Sequence, residues 1–110
     1  MIHQAELLKG NTETLLLVLM EAEPMYGYQL AKEVDLRSSG YFAFKEGTMY
    51  PALHRLERDK LVEGSWQDTP NGVRRRYYQI TAKGRQALAD RLSEWRRFSR
   101  AMNSVMLHET

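Results

Sequence analysis

The sequence predicts a mainly α-helical fold that carries a two-stranded β-hairpin and ends in one long helix. Three patterns in the chain of 110 residues lead to this fold class. Apolar residues recur at helical spacing in the first half, they alternate with polar residues between Val62 and Ile80, and the helical period returns after Thr81. The length fits one small unit with a modest core.

The first helix is expected from Thr12 to about Glu21. Its central run, residues 15–20, is wholly apolar, so a helix here must be covered on more than one face. Asn11 or Thr12 supplies the N-cap, and Pro24 ends the segment because the residue before a proline avoids helical geometry. We therefore expect this helix to serve both the core and an interface.

A second, shorter helix is expected from Tyr26 to Val34. Tyr26, Leu30 and Val34 recur at fourfold spacing, and residues 37–40 then give a loop signal. Two short helices before a third, basic one indicate a helix-turn-helix-like arrangement, although the connection before the third helix is longer than a tight turn.

The third helix is amphipathic and is expected to open at Thr48. Thr48 suits the N-cap, and Pro51 then falls in the first turn, where a missing N–H costs little. A helix N-terminus favours phosphate, and Arg and His side chains can reach base edges in DNA. The candidate DNA contacts on this helix are Thr48, Tyr50, Pro51, His54 and Arg55. The alternative is an ordinary surface helix with solvated arginines.

The alternating segment predicts a β-hairpin. Val62, Gly64 and Trp66 share one face of its first strand, and Tyr78 and Ile80 share one face of its second. The tip, residues 68–73, contains Pro and Asn-Gly, which tolerate turn geometry.

Three consecutive arginines follow this tip. At least one or two of their guanidinium groups can project from the hairpin edge into a groove or onto phosphates. Because side chains alternate along a strand, Arg75 points opposite to Arg74 and Arg76. The alternative is that the arginines only protect a sheet edge from pairing. Helices followed by a basic-edged hairpin are the outline of a winged helix-turn-helix.

The last helix is expected from Ala82 to about Leu107, with Thr81 as its cap. It carries large apolar residues at seven-residue spacing, namely Leu88, Trp95 and Met102. A helix of about 26 residues would be about 39 Å long, which exceeds the body of so small a domain. We expect its distal half to pack on a second copy in a twofold homodimer. The alternative is a frayed or self-packed helix.

The chain then divides into residues 1–81, a winged helix-turn-helix DNA-binding domain, and residues 82–110, a dimerisation helix. Trp95 has two interpretations: it fills the core or dimer interface, or it lines a cleft between subunits and stacks a flat apolar ligand. The candidate ligand-binding residues are Leu7, Thr14, Leu17, Trp95, Phe98, Ser99 and Met102.

Composition argues against an enzyme. The chain has no cysteine, its three histidines fall in three segments without ligand spacing, and neither a phosphate-binding glycine loop nor a nucleophile motif is present. The carboxylates are expected to be solvated, namely those of Glu57, Asp59, Glu63 and Asp68. We expect no metal site and no cofactor.

The net charge is only +2, but the basic residues cluster near residues 55–60, 74–76 and 96–100. The longest apolar run, residues 15–20, is too short to span a membrane. Residues 1–6 lack the basic start and long apolar stretch of a signal peptide, so together with the absence of cysteine we expect a cytoplasmic protein.

Three segments, in order, resemble the PadR-like transcriptional regulators, in their branch with a short C-terminal helix. These segments are residues 26–30, 46–57 and 74–84, and the resemblance covers almost the whole chain. It implies that the third helix enters the major groove and that the wing reaches the backbone or minor groove. It also implies that the last helix joins the N-terminal helix in dimerisation. The implied DNA-binding residues are Thr48, Tyr50, Pro51, Arg55, Arg74 and Arg75.

Many members of that family repress genes for detoxification, drug export or phenolic-acid metabolism, and a small molecule releases them. Some short members resemble this chain in carrying a tryptophan that faces a central dimer cavity. Together these features predict a dimeric repressor of a two-half-site operator in double-stranded DNA, released by a planar aromatic or drug-like effector. The alternatives are an adapter that binds an acidic protein and a ligand-independent regulator.

Overall fold

The computed structural model describes Leu8 and residues 10–108. The elements follow in the order α1 (Thr12–Leu19), β1 (Met25–Tyr26), α2 (Gly27–Arg37), α3 (Glu46–Arg58), β2 (Val62–Asp68), β3 (Arg74–Ile80) and α4 (Ala82–Met106). The mainly helical fold with a hairpin and a long last helix is therefore confirmed. Residues 1–6, for which the absence of a signal peptide was predicted, lie outside the described part.

The hairpin belongs to an antiparallel sheet of three described strands, in the order β1, β3, β2. The additional strand is β1, whose Met25 and Tyr26 pair with Tyr78 and Tyr77 of β3. A strand of two residues is too short to show an alternating pattern, so the sequence predicted two strands only. Tyr26 is thus the N-cap of α2 and not a helical residue, and its N–H donates to Gln29 Oε1 at 3.1 Å.

Helix α3 begins at Glu46, two residues before the predicted start. The prediction of Thr48 as N-cap is wrong, because Lys45 occupies that position and the Thr48 N–H donates to the Lys45 carbonyl at 2.9 Å. Pro51 consequently lies in the second turn. The carbonyl of Gly47 therefore has no N–H four residues later from which to accept.

The core lies where the helices meet one face of the sheet. Its fully buried large side chains are Leu16, Leu17, Met20, Leu30, Leu53, Leu56, Leu88 and Val62. Residues Leu15 and Val18 of α1 are only half-buried, so the apolar run of α1 covers the core and also reaches its edge. None of the described helices is long and apolar enough to cross a membrane.

Helix α4 joins the core through its first half, up to Leu92. Thr81 is its N-cap, as predicted, and accepts a hydrogen bond from the Gly84 N–H at 2.9 Å. Gly84 packs against the Leu61 carbonyl with no room for a side chain, and Leu88 is buried. The distal half leaves large apolar residues exposed, namely Trp95, Phe98, Met102, Val105 and Met106. This half therefore extends beyond the body of the domain.

Candidate nucleic-acid interface

Helix α3 presents an exposed ridge on the side opposite the core. Met49, Leu53 and Leu56 are buried, which turns Pro51 and His54 directly outward. The other exposed residues of the ridge are Gly47, Thr48, Arg55 and Arg58. All five DNA contacts that the sequence predicted on the third helix therefore lie on α3, and His54 is near the middle of its exposed face.

Tyr50 fixes the start of α2 against α3. It is half-buried, and a side chain at Gly27 would come within 2.9 Å of its Cζ atom. Only a glycine at the first position of α2 leaves space for this ring. Tyr50 therefore packs α3 against α2, and its ring also borders a surface groove.

A groove of about 430 Å³ runs between α3, the start of α2 and the hairpin. We refer to it as the wing groove; its lining residues are Tyr26, Gly27, Tyr28, Tyr50, His54, Trp66, Arg74, Arg75, Arg76 and Tyr78. It brings together four of the predicted DNA contacts, on two elements. The sequence did not single out Tyr28 and Trp66, although both are exposed aromatic residues beside predicted contacts. Aromatic and cationic groups together suit the sugar and phosphate of a nucleic acid backbone.

Of the first two wing arginines, Arg74 is exposed and Arg75 is half-buried. Arg74 pairs with Asp68 across the hairpin at 3.3 Å, and both side chains are largely exposed, so this pair contributes little to stability. Arg75 lies over the ring of Tyr26, with its Cζ atom 4.3 Å from the ring centroid. Both guanidinium groups border the groove and can exchange their present partners for phosphate.

Arg76 differs from its neighbours because it turns toward the helix. It donates to Glu57 of α3, and both side chains are about one-third exposed, at 32% and 30%. The expectation that Glu57 is solvated is therefore wrong, since the folded hairpin brings an arginine onto it. Burial raises the pKa of the neighbouring Tyr78, an effect that the charge of Arg76 opposes.

Arg55, the predicted base-reading residue, is paired within the chain. Its Nε atom lies 3.4 Å from Glu13 of α1, and its side chain is 46% exposed. The other oxygen of Glu13 lies 3.9 Å from Arg91 of α4. At the end of α3, Arg58 donates to Asp59, and this hydrogen bond lowers the pKa of the Asp59 carboxyl group.

A second concave region lies between α1 and α4. It consists of an apolar part of about 270 Å³ and an open part of about 570 Å³, which share Asn11, Thr14 and Trp95. We refer to both parts as the Trp95 cleft. Thr14, Trp95 and Phe98 are predicted ligand residues that the fold brings together here, and the two aromatic rings lie 5.8 Å apart.

The remaining predicted ligand residues lie elsewhere. Leu17 is 0% exposed in the core, because α1 turns Leu17 inward and Thr14 toward α4. The Ser99 hydroxyl donates to the Arg96 carbonyl at 3.3 Å, and Met102 lies one turn further along α4. Leu7 lies outside the described residues. Lining residues that the sequence did not single out are Asn11, Asp90, Arg91 and Glu94.

These elements define the class of the protein. Helix α3, with its exposed basic ridge, follows α2 and packs against it, and the arginine-rich β2–β3 hairpin lies beside α3. This arrangement is a winged helix-turn-helix. The sequence profile of the Transcriptional regulator PadR-like family matches residues 15–90. The chain belongs to this family, whose members are transcriptional regulators that bind DNA.

Solved structures agree with this assignment. A transcriptional regulator from Clostridium thermocellum superposes with a TM-score of 0.85 at 26% identity, over 92% of this chain and 98% of that one. A PadR-like transcriptional regulator from Bacillus cereus superposes with a TM-score of 0.80 at 32% identity, over 92% and 96%. The Transcriptional regulator Rv3488 of Mycobacterium tuberculosis is 45% identical over 56 residues, about half of each chain.

Proposed function

We propose that the protein is a cytoplasmic, dimeric repressor that binds a two-half-site operator in double-stranded DNA. The observation that carries the proposal is the continuity between the exposed ridge of α3 and the wing groove. Together they form one surface of aromatic and cationic side chains. The proposed DNA contacts are Thr48, Tyr50, Pro51, His54, Arg55, Arg74 and Arg75.

The two halves of α3 have different proposed roles. Thr48, Tyr50 and Pro51 lie in its N-terminal half, where the helix dipole favours phosphate, and their side chains are proposed to fix the position of the helix on the DNA backbone. His54 and Arg55 lie further along and reach base edges in the major groove. Arg55 must leave Glu13 to do so, which costs little because an exposed ion pair is worth about 0–1 kcal/mol.

The distal half of α4 is the proposed dimer interface. Its exposed apolar residues, among them Phe98 and Val105, lie close together on one helix, and such a cluster is typical of an interaction surface. A twofold axis along this surface would set two copies of α3 on one side of the dimer. Residues 1–81 would then bind DNA, and residues 82–110 would hold the two copies together.

The Trp95 cleft is the proposed effector site. Its indole offers a flat stacking surface, and the two carboxylates at its open end, Asp90 and Glu94, outnumber the one guanidinium, Arg91, which favours a planar aromatic ligand with positive charge. A ligand that prefers one arrangement of the two subunits would release the operator if that arrangement no longer matches the half-site spacing.

Selection of bound fragments from a random double-stranded DNA library tests the proposed function. The wild-type dimer should enrich a two-half-site sequence, and Arg55→Ala and Arg75→Ala should each weaken binding about tenfold or more. Arg37→Ala is the matched control, because Arg37 is an exposed, ion-paired arginine of α2 outside the wing groove. Equal binding of every duplex would instead favour an adapter for an acidic protein, and full affinity in both variants would contradict the proposed interface.

A further inference from the structure

An ion pair joins the wing to helix α3. Arg76 of β3 donates to Glu57, the penultimate residue of α3. The two partners are 19 positions apart in the chain and belong to the two elements that border the wing groove. Arg74, on the same strand face, is about twice as exposed and pairs only across the hairpin.

The guanidinium group of Arg76 is enclosed by the sheet as well as by Glu57. It lies over Gly64 of β2, where an added Cβ would come within 2.7 Å of its Nη2 atom. The rings of Trp66 and Tyr78 lie 5.8 and 5.7 Å from its Cζ atom. Any side chain at position 64 would therefore displace this guanidinium, so the glycine provides the space for the ion pair.

We propose that Arg76 and Glu57 form a brace that fixes the wing at its working distance from α3, which makes Arg76 a positioning residue and not a phosphate contact. The inference rests on the proposed DNA-binding function. Partly buried, charge-assisted pairs are stronger than exposed ones, so the brace resists exchange of Glu57 for a phosphate. The brace thereby fixes the distance between His54 of α3 and the wing arginines Arg74 and Arg75 when both elements contact DNA.

The sign of one substitution separates this role from simple electrostatics. Glu57 places a negative charge beside a surface that binds a polyanion. Coulomb repulsion alone predicts that its removal strengthens DNA binding. The brace predicts the opposite, because the wing then loses its fixed position relative to α3.

The test measures the affinity of Glu57→Gln and Gly64→Ala for the DNA that the wild-type protein selects. Each should weaken binding about tenfold. Gly64→Ala changes no charge and disturbs the brace only through the space it fills. The control is Glu63→Gln, which removes an equal charge from an exposed position on the opposite face of β2 and should bind as well as wild type or better. Equal or tighter binding by Glu57→Gln would overturn the brace.

The salt dependence of binding separates positioning from direct contact. Arg76→Gln should lower the affinity but leave the slope of log affinity against log salt unchanged. Arg75→Ala, which removes a proposed phosphate contact, should reduce that slope by about 0.9. A slope reduced equally by both variants would assign Arg76 to phosphate and overturn the positioning role.

A measurement without DNA keeps the two proposals distinguishable. The chain has two tryptophans, so Trp95→Phe leaves Trp66 as the only indole, beside the Arg76 guanidinium. Adding Gly64→Ala or Glu57→Gln to this background should shift the emission of Trp66 and increase its quenching by acrylamide. Unchanged Trp66 emission would overturn the brace, whatever the DNA result. Absence of DNA binding by the wild-type chain would overturn the proposed function and, with it, the positioning role.

Discussion

Gly84 shows how one residue sets the packing of an entire helix. Its Cα lies so close to the start of β2 that an added Cβ would overlap the Leu61 carbonyl oxygen and lie 2.8 Å from Ile80 Cγ1. Neither the backbone nor a buried isoleucine can move freely. The glycine at this position is thus required for close contact and not for backbone freedom.

Gly84→Ala is expected to destabilise the fold by about 1–3 kcal/mol, as overpacking of a dense core does. Urea denaturation at a fixed protein concentration measures the effect. Gly47→Ala is the matched control, since a Cβ at Gly47 would meet no described atom within 4 Å and alanine favours a helix. If both variants unfolded at the wild-type midpoint, the close contact at Gly84 would carry no energetic weight.

Among the elements, α1 lies between α3, the proposed DNA-reading helix, and the long helix α4. Its Glu13 accepts from Arg55 of α3 and also lies 3.9 Å from Arg91 of α4. The acid therefore competes with DNA for the arginine that is proposed to read bases. The long contact of 3.4 Å and the half-exposed Arg55 side chain keep that competition weak.

Glu13→Gln should increase DNA affinity by up to about fivefold, because Arg55 no longer has to leave an ion pair. Fluorescence anisotropy of a labelled operator measures the change. Glu33→Gln breaks a similarly exposed pair with Arg37 of α2 and should leave the affinity near wild type. A loss of affinity in Glu13→Gln would indicate that the pair helps to orient Arg55 for DNA.

For the whole molecule, the exposed apolar end of α4 is the surface proposed to hold two copies together. Val105 is 78% exposed, so a charge at this position does not disturb the core of one subunit. Val105→Glu should raise the dissociation constant of the proposed dimer at least about tenfold, by placing an unpaired charge in its interface. Light scattering across a dilution series measures the mass. Ser104→Glu, at the adjacent exposed position, should remain dimeric, and a dimeric Val105→Glu would contradict this interface.

Local patterns accounted for the elements that the sequence predicted well. The cap at Thr81 and the seven-residue repeat of apolar residues in α4 are both local signals within one helix. The structure has the predicted cap and a continuous helix over the repeat. The start of α3 was misplaced because Lys45 caps it without a side-chain hydrogen bond, so it leaves no recognisable residue type. Residues 15–20 are all apolar, so the sequence does not show which of them face the core. For this reason Leu17, which is buried in the core, was assigned to the ligand-binding side of α1.

The partners of the arginines needed the folded chain. Arg55 meets an acid 42 positions away, and Arg76 meets one 19 positions away, so no spacing rule within an element relates them. The sequence identified the residue types suited to DNA. The residue pattern alone did not distinguish Arg76, which is engaged by Glu57 of α3, from the other two wing arginines; only the family resemblance selected Arg74 and Arg75.

The one-sided attachment of α4 makes it a lever arm. Gly84 and Leu88 hold its base against the core, Leu92 packs half-buried one turn further, and the helix then continues to Met106 with no buried residue among those described. A helix of this length spans about 38 Å, so a rotation of about 5° at the base displaces the far end by about 3 Å. In the proposed dimer, the separation of the two reading helices is therefore governed by the angle at Gly84, where the packing is tightest.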